Sequence, residues 1–187
     1  MRVFGFAGLS NAGKTTLIEA LIKRLVAQGL QTAVIKHAHH GFDIDRPGKD
    51  SWRHREAGAS QVLISSGQRW VLMHECRQEP EPGLHSLLRQ LGPCDLVLVE
   101  GYKRSRLPKL EVHRAQTGHP WMYLDDEAIV GVACDSPLPV ANPACRETTP
   151  IPEGRSHPQV FGLTDYDEIA AFVLREARPV ELLPSDS

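Results

Sequence analysis

Short, continuous apolar runs occupy residues 3–7, 31–36, 96–100 and 129–135. Runs of this length predict buried, mostly parallel strands. Between them, apolar residues recur at helical spacing: Leu17, Ile18, Leu21, Ile22 and Leu25, then Leu84, Leu87, Leu88 and Leu91, then Ile169, Phe172 and Val173. The first of these helices is expected to run to about Gln28, with Gly29 ending it, and Gly92-Pro93 stops the second. Thr164 or Asp165 is expected to cap the last. Residues 61–65 and 69–74, joined at Ser66-Gly67-Gln68, read as an antiparallel hairpin on one side of a mixed sheet. A short helix over 52–57 precedes it, capped by Asp50 or Ser51. Residues 109–113 and 160–163 read as two further strands. The strand–helix–strand order at the start implies right-handed parallel crossovers.

The first junction carries the chemistry. Gly8-Leu9-Ser10-Asn11-Ala12-Gly13-Lys14-Thr15 is G-x-x-x-x-G-K-[ST], placed between a strand and an amphipathic helix. The backbone N–H groups of Gly8, Ser10, Asn11, Ala12, Gly13, Lys14, Thr15 and Thr16, with the positive end of the helix, form an anion cradle. Lys14 is expected to reach the β- and γ-phosphates, and the Thr15 hydroxyl to bind Mg²⁺. The run at 96–100 ends in Glu100-Gly101, where a P-loop protein places a second acidic group for that metal. Thr15 and Glu100 are therefore the expected metal residues. The fold class follows as α/β, a P-loop NTPase with a mostly parallel mixed sheet flanked by helices and an antiparallel hairpin portion.

Composition narrows the picture less. The 187 residues carry a net charge of −2, which argues against broad binding to nucleic acid. One domain over 1–178 is expected, with a Pro-rich loop at 136–159 and a flexible tail at 179–187. No apolar stretch is long enough to span a membrane, and residues 1–5 have no signal-peptide anatomy, so a cytoplasmic protein is expected. The cysteines Cys76, Cys94, Cys134 and Cys145 form no C-x-x-C pair, so neither a zinc ribbon nor a dithiol motif is indicated.

Three further stretches complete a pattern: Ile35-Lys36-His37-Ala38-His39-His40, Asp43-Ile44-Asp45-Arg46-Pro47-Gly48-Lys49-Asp50-Ser51, and Val99-Glu100-Gly101-Tyr102-Lys103. With the P-loop, they make the chain similar to the MobB family of molybdopterin-guanine dinucleotide biosynthesis adapter proteins. Ser66-Gly67-Gln68-Arg69-Trp70 and Leu163-Thr164-Asp165-Tyr166-Asp167 also resemble that family. The Pro-rich segment before Val160 is the main departure. The resemblance implies a dimeric, weakly hydrolytic GTP-binding protein that assists a molybdopterin guanylyltransferase. Its expected partners are GTP, that enzyme, molybdopterin or its guanine dinucleotide, and a second copy of the chain.

Residue types assign further roles. Asp43 and Asp45 are candidates for orienting water, on a loop resembling a switch region. Lys14, Asp43, Asp45 and Glu100 form the candidate catalytic set. Lys36, Lys49 and Lys103 can add positive charge at a phosphate. No [NT]-K-x-D element reads guanine, and Asp135 is the positional candidate for that task. Leu9 stands where dimerising ATPases with a deviant P-loop carry a lysine, which excludes a trans-acting lysine from that position. A small-molecule kinase and a metal carrier using His37, His39 and His40 are the alternatives.

Overall fold

The computed structural model describes residues 1–38, 41–138 and 157–183. In chain order these residues form β1 (Arg2–Ala7), α1 (Lys14–Ala27), β2 (Thr32–Lys36), α2 (Asp50–Glu56), β3 (Gln61–Ser65) and β4 (Trp70–His74). Then follow α3 (Leu84–Leu88), β5 (Leu96–Glu100), β6 (Lys109–His113), β7 (Ile129–Cys134), β8 (Gln159–Gly162), α4 (Tyr166–Glu176) and β9 (Arg178–Pro179). The chain divides into two compact units, one of residues 1–37 with 84–187 and the other of residues 38–83.

The first unit is built on a sheet ordered β2-β5-β1-β6-β7-β8, all parallel. Its inner strands β1, β5 and β7 are buried on both faces, which explains their continuous apolar runs. On one face, Phe4, Phe6, Leu98 and Leu110 pack beneath α1 and α4, meeting Leu17, Leu21, Leu25, Phe172 and Val173. Each fully buried leucine or phenylalanine of this kind contributes roughly 1.5–3 kcal/mol of transfer free energy. On the other face, Val3, Val97 and Val99 pack against Leu84 and Leu88 of α3 and against Leu107 and Val180.

Two expectations change here. The stretch from Pro179, expected to fray, is built into the unit: β9 pairs antiparallel with Arg2 and Val3. It fills the part of β1 that β6 leaves open, because β6 pairs only from Gly5 onward. Val180 is then buried in the core. Residues 184–187 of the tail, and 139–156 of the expected Pro-rich loop, lie outside the described residues. The cap of α4 also differs. Asp165 stands at the N-cap, but its carboxylate accepts from the Gly162 N–H at 2.7 Å, on the strand side rather than from the helix.

The second unit contains α2 and the hairpin β3–β4. The hairpin is a two-stranded sheet of its own, not an edge of the large one. Its register pairs Leu63 with Leu72 and Ser65 with Trp70. Those residues share one face, and Leu63, Trp70 and Leu72 are all exposed.

Candidate functional site

β1 ends at the carboxyl edge of the parallel sheet, where open α/β sheets bind ligands. The chain turns there through Gly8, at φ 138°, and enters α1 through Gly13, at φ 97°. Both angles lie where a side chain is strained. A Cβ on Gly8 would also stand 2.5 Å from the Val112 carbonyl oxygen. The loop is thus pressed against β6 so closely that only glycine fits.

Lys14, the first residue of α1, lays its ammonium on the loop's own carbonyls, Gly8 O at 2.9 Å and Leu9 O at 3.0 Å. Burial pushes its pKa below the ordinary lysine value, and Glu100 opposes that shift. Lys103 and Lys36 push it further down, so both cations act on the P-loop lysine electrostatically. The Thr15 hydroxyl donates to Glu100 Oε1 at 3.2 Å, and Lys36 Nζ stands 3.5 Å from Glu100 Oε2. Glu100 is buried at the end of β5, and its main-chain carbonyl accepts from the His37 N–H at 2.8 Å. The His37 ring lies 5.0 Å from that of Tyr102. The first unit therefore brings Gly8 to Thr16, Lys36, Glu100 and Lys103 to one edge. Two hard oxygen donors, the Thr15 hydroxyl and the Glu100 carboxylate, converge there. That donor set suits Mg²⁺, which takes one or two protein oxygens and keeps waters.

Asp135 directly follows β7, on the opposite side of β1 from Glu100. One of its oxygens accepts from the Ala115 N–H at 2.8 Å. Asp43, Asp45 and Lys49 belong to the second unit. There Arg55 gathers the acids: its guanidinium bonds Asp43 at 2.9 Å, Asp45 at 3.2 Å and Glu75 at 2.9 Å. Asp45 also accepts from the Ser51 hydroxyl at 2.8 Å, and Asp43 from the Asp45 N–H at 2.8 Å. The Asp45 N–H and then Arg55 hold Asp43 below the ordinary carboxylate range. Burial alone would raise Asp45, but Ser51, the Arg46 N–H and Arg55 together hold it low as well. Glu75 and Asp43 raise the pKa of Arg55. Lys49 is the N-cap residue of α2 and contributes no side-chain cap. His39 and His40 lie outside the described residues. Among the described residues, no group of three His, Cys, Asp or Glu is arranged to hold a metal.

Sequence reasoning missed the polar face of β6. Lys109, Glu111 and His113 are all buried, on alternate positions of one strand. Lys109 donates to the carbonyls of Lys103 at 2.6 Å and Ser105 at 2.7 Å and pairs with Asp126. Its stem crosses Gly5, where a Cβ would stand 2.5 Å from Lys109 Cγ. Glu111 accepts from the N–H groups of Met122 and Tyr123, and burial raises its pKa despite them. His113 stacks on Trp121 at 3.6 Å and bonds the His119 carbonyl, while the His119 ring reaches Ser10 O of the P-loop at 3.2 Å. One strand face thus anchors the two loops flanking the phosphate cradle. The signal was present as K-x-E-x-H within a predicted strand. Arg55 was equally legible as a cation ten residues past Asp45, but its partners depend on the hairpin.

Comparisons with known proteins identify the family. Residues 3–135 match the family model described as Molybdopterin guanine dinucleotide synthesis protein B. The chain is 43% identical over 141 residues to the molybdopterin-guanine dinucleotide biosynthesis adapter protein of Haemophilus influenzae, covering 74% of this chain and 77% of that one. It is 42% identical over 139 residues to the Escherichia coli protein of the same name, covering 73% and 79%. Among solved structures, the MobB homolog of Bacillus stearothermophilus is similar with a TM-score of 0.60 at 26% identity, over 93% of this chain and 96% of that one. Bacillus subtilis MobB shares the fold with a TM-score of 0.68 at 22% identity, over the full length of both. On the family model and these identities, the chain belongs to the MobB family.

Proposed function

We propose that this chain is a GTP-binding adapter with weak GTPase activity in molybdopterin guanine dinucleotide biosynthesis, where it assists the guanylyltransferase. The observation that carries the reading is the convergence of Lys14, Thr15, Lys36 and Glu100 at one end of the P-loop, in a chain of this family. The main-chain N–H groups and the α1 terminus bind phosphate oxygens, and Lys14 swings from the loop carbonyls to them. Thr15 and Glu100 hold Mg²⁺, which when bound neutralises charge on the terminal phosphates. Lys36 and Lys103 add positive charge at that end. Asp135 accepts from the guanine edge with the oxygen not used by Ala115.

Slow turnover suits the second unit. Asp43 and Asp45 spend their oxygens on Arg55, Ser51 and main-chain N–H groups, so neither stands as a ready base. Orienting water with either one requires loosening Arg55 first. The exposed face of Leu63, Trp70 and Leu72 supports a homodimer, since apolar residues paired across strands suit burial against a partner. No helix among the described residues is long and apolar enough to cross a membrane.

The test is a parallel titration of the full chain with GTP and ATP in the presence of Mg²⁺, followed by phosphate release. Tighter GTP binding and release of phosphate over many minutes are expected. Equal or tighter ATP binding removes the guanine part of the reading. Transfer of phosphate to a small acceptor instead of water replaces it with the kinase reading.

A further inference from the structure

We propose that Arg114 binds the α-phosphate of the nucleoside di- or triphosphate held by the P-loop, a role that rests on the nucleotide reading above. Arg114 directly follows β6. Its guanidinium lies against Gly13, the residue that opens α1: a Cβ there would stand 3.3 Å from one terminal nitrogen and 3.4 Å from Nε. Gly13 has no side chain to cover that approach, so the cation lies against the loop at the residue that leads into α1. Among the described residues the guanidinium makes no hydrogen bond and no ion pair; only the Arg114 main-chain carbonyl is used, by Thr117. The carboxylate directly after the next strand, Asp135, spends an oxygen on the Ala115 N–H. A planar cation with five donors, next to an anion cradle, is suited to a phosphate oxygen.

The order of strands says which phosphate. Thr15, Glu100 and Lys36 assemble on the β5–β2 side of β1. A divalent ion held there by Thr15 and Glu100 would neutralise charge on the terminal phosphates, which places those phosphates on that side. The nucleoside end then runs toward β6 and β7, past Arg114 and on to Asp135. Arg114 meets the chain of phosphates at its inner end, which GTP and GDP share. This assignment separates it from Lys14, Lys36 and Lys103, whose charges act at the outer end.

The experiment compares the wild-type chain with Arg114→Met and Arg114→Lys, each titrated with GTP and with GDP, with a thermal melt for each variant. Arg114→Met is expected to weaken GTP and GDP by the same factor, about 10- to 100-fold, the value of a charge-assisted hydrogen bond. Arg114→Lys keeps the charge but not the fork, and is expected to recover part of that loss. Unchanged affinity for both nucleotides in folded Arg114→Met overturns the proposal. So does a loss confined to GTP, which would put the guanidinium at the γ-phosphate. Should Arg114→Met fail to melt cooperatively, Arg114→Gln carries the same comparison. Wild-type protein that binds neither nucleotide overturns the nucleotide reading itself, whereas wild-type binding with unaffected variants overturns only the role of Arg114.

Discussion

Glu100 and Asp45 are both carboxylates facing a cation, and they are held in opposite ways. Glu100 has loose partners, a hydroxyl at 3.2 Å and an ammonium at 3.5 Å. Asp45 is saturated: a hydroxyl at 2.8 Å, a main-chain N–H at 2.9 Å and a guanidinium at 3.2 Å. Lys109 repeats the saturated pattern in the first unit, with two carbonyls and a carboxylate on one ammonium. A charge with its bonding capacity filled fixes backbone. A charge with capacity left over can take a ligand. Residue type does not separate the two cases, and the count and length of the hydrogen bonds do.

The contrast breaks first at Lys109. Lys109→Met removes the donor from two loop carbonyls and from Asp126, and is expected to cost about 3 kcal/mol, as when one partner of a buried pair is deleted. Chemical denaturation measures it. A change within about 0.5 kcal/mol, the range of ordinary surface substitutions, would mean that the ammonium is not anchoring those loops.

Glu100→Gln is the opposite case, with a smaller effect on a different quantity. The amide keeps the shape but loses the charge that suits Mg²⁺. GTP affinity is expected to fall about tenfold with Mg²⁺ present, or 1.4 kcal/mol, and to change little with the metal chelated. An equal loss under both conditions would remove Glu100 from the metal. The same change at Asp45 should act on structure: hydrogen exchange across residues 43–55 is expected to rise as Ser51 and Arg55 lose an acceptor.

The smallest effect is on pH. Asp43 and Asp45 titrate below their ordinary value in the folded chain. Their contribution to stability is therefore complete above the unfolded value of about 3.9 and is lost as pH falls through the lower folded values. Hydrogen exchange in residues 43–75 should accelerate below about pH 4. Arg55→Gln should flatten that response, and a response that persists unchanged would assign it to other acids.

The elements that follow from continuous patterns were legible in the chain. β1, the P-loop, α1 and β5 stand where the apolar runs and the two glycines put them, because burial on both sides admits little else at those positions. The hairpin was legible as two strands, but not as a separate sheet. Alternation fixes which residues share a face, and it carries no information about which edge a strand joins. The polar face of β6 was hidden for a related reason. Lys109, Glu111 and His113 in alternation look like a half-exposed strand, and only the loops folded over them make them interior. The approach of the Thr15 hydroxyl to Glu100 was readable from motifs alone. Arg114 was not, since its value comes from lying against Gly13, 101 positions away in the chain.

Everything proposed for this chain depends on the P-loop holding a nucleotide through Lys14. The most direct measurement is equilibrium binding of GTP to the full chain and to Lys14→Ala, with a thermal melt of each. The expected result is an unchanged melting temperature and GTP affinity reduced at least about 100-fold, or close to 3 kcal/mol. A folded Lys14→Ala variant that binds GTP as tightly as the parent would contradict the account.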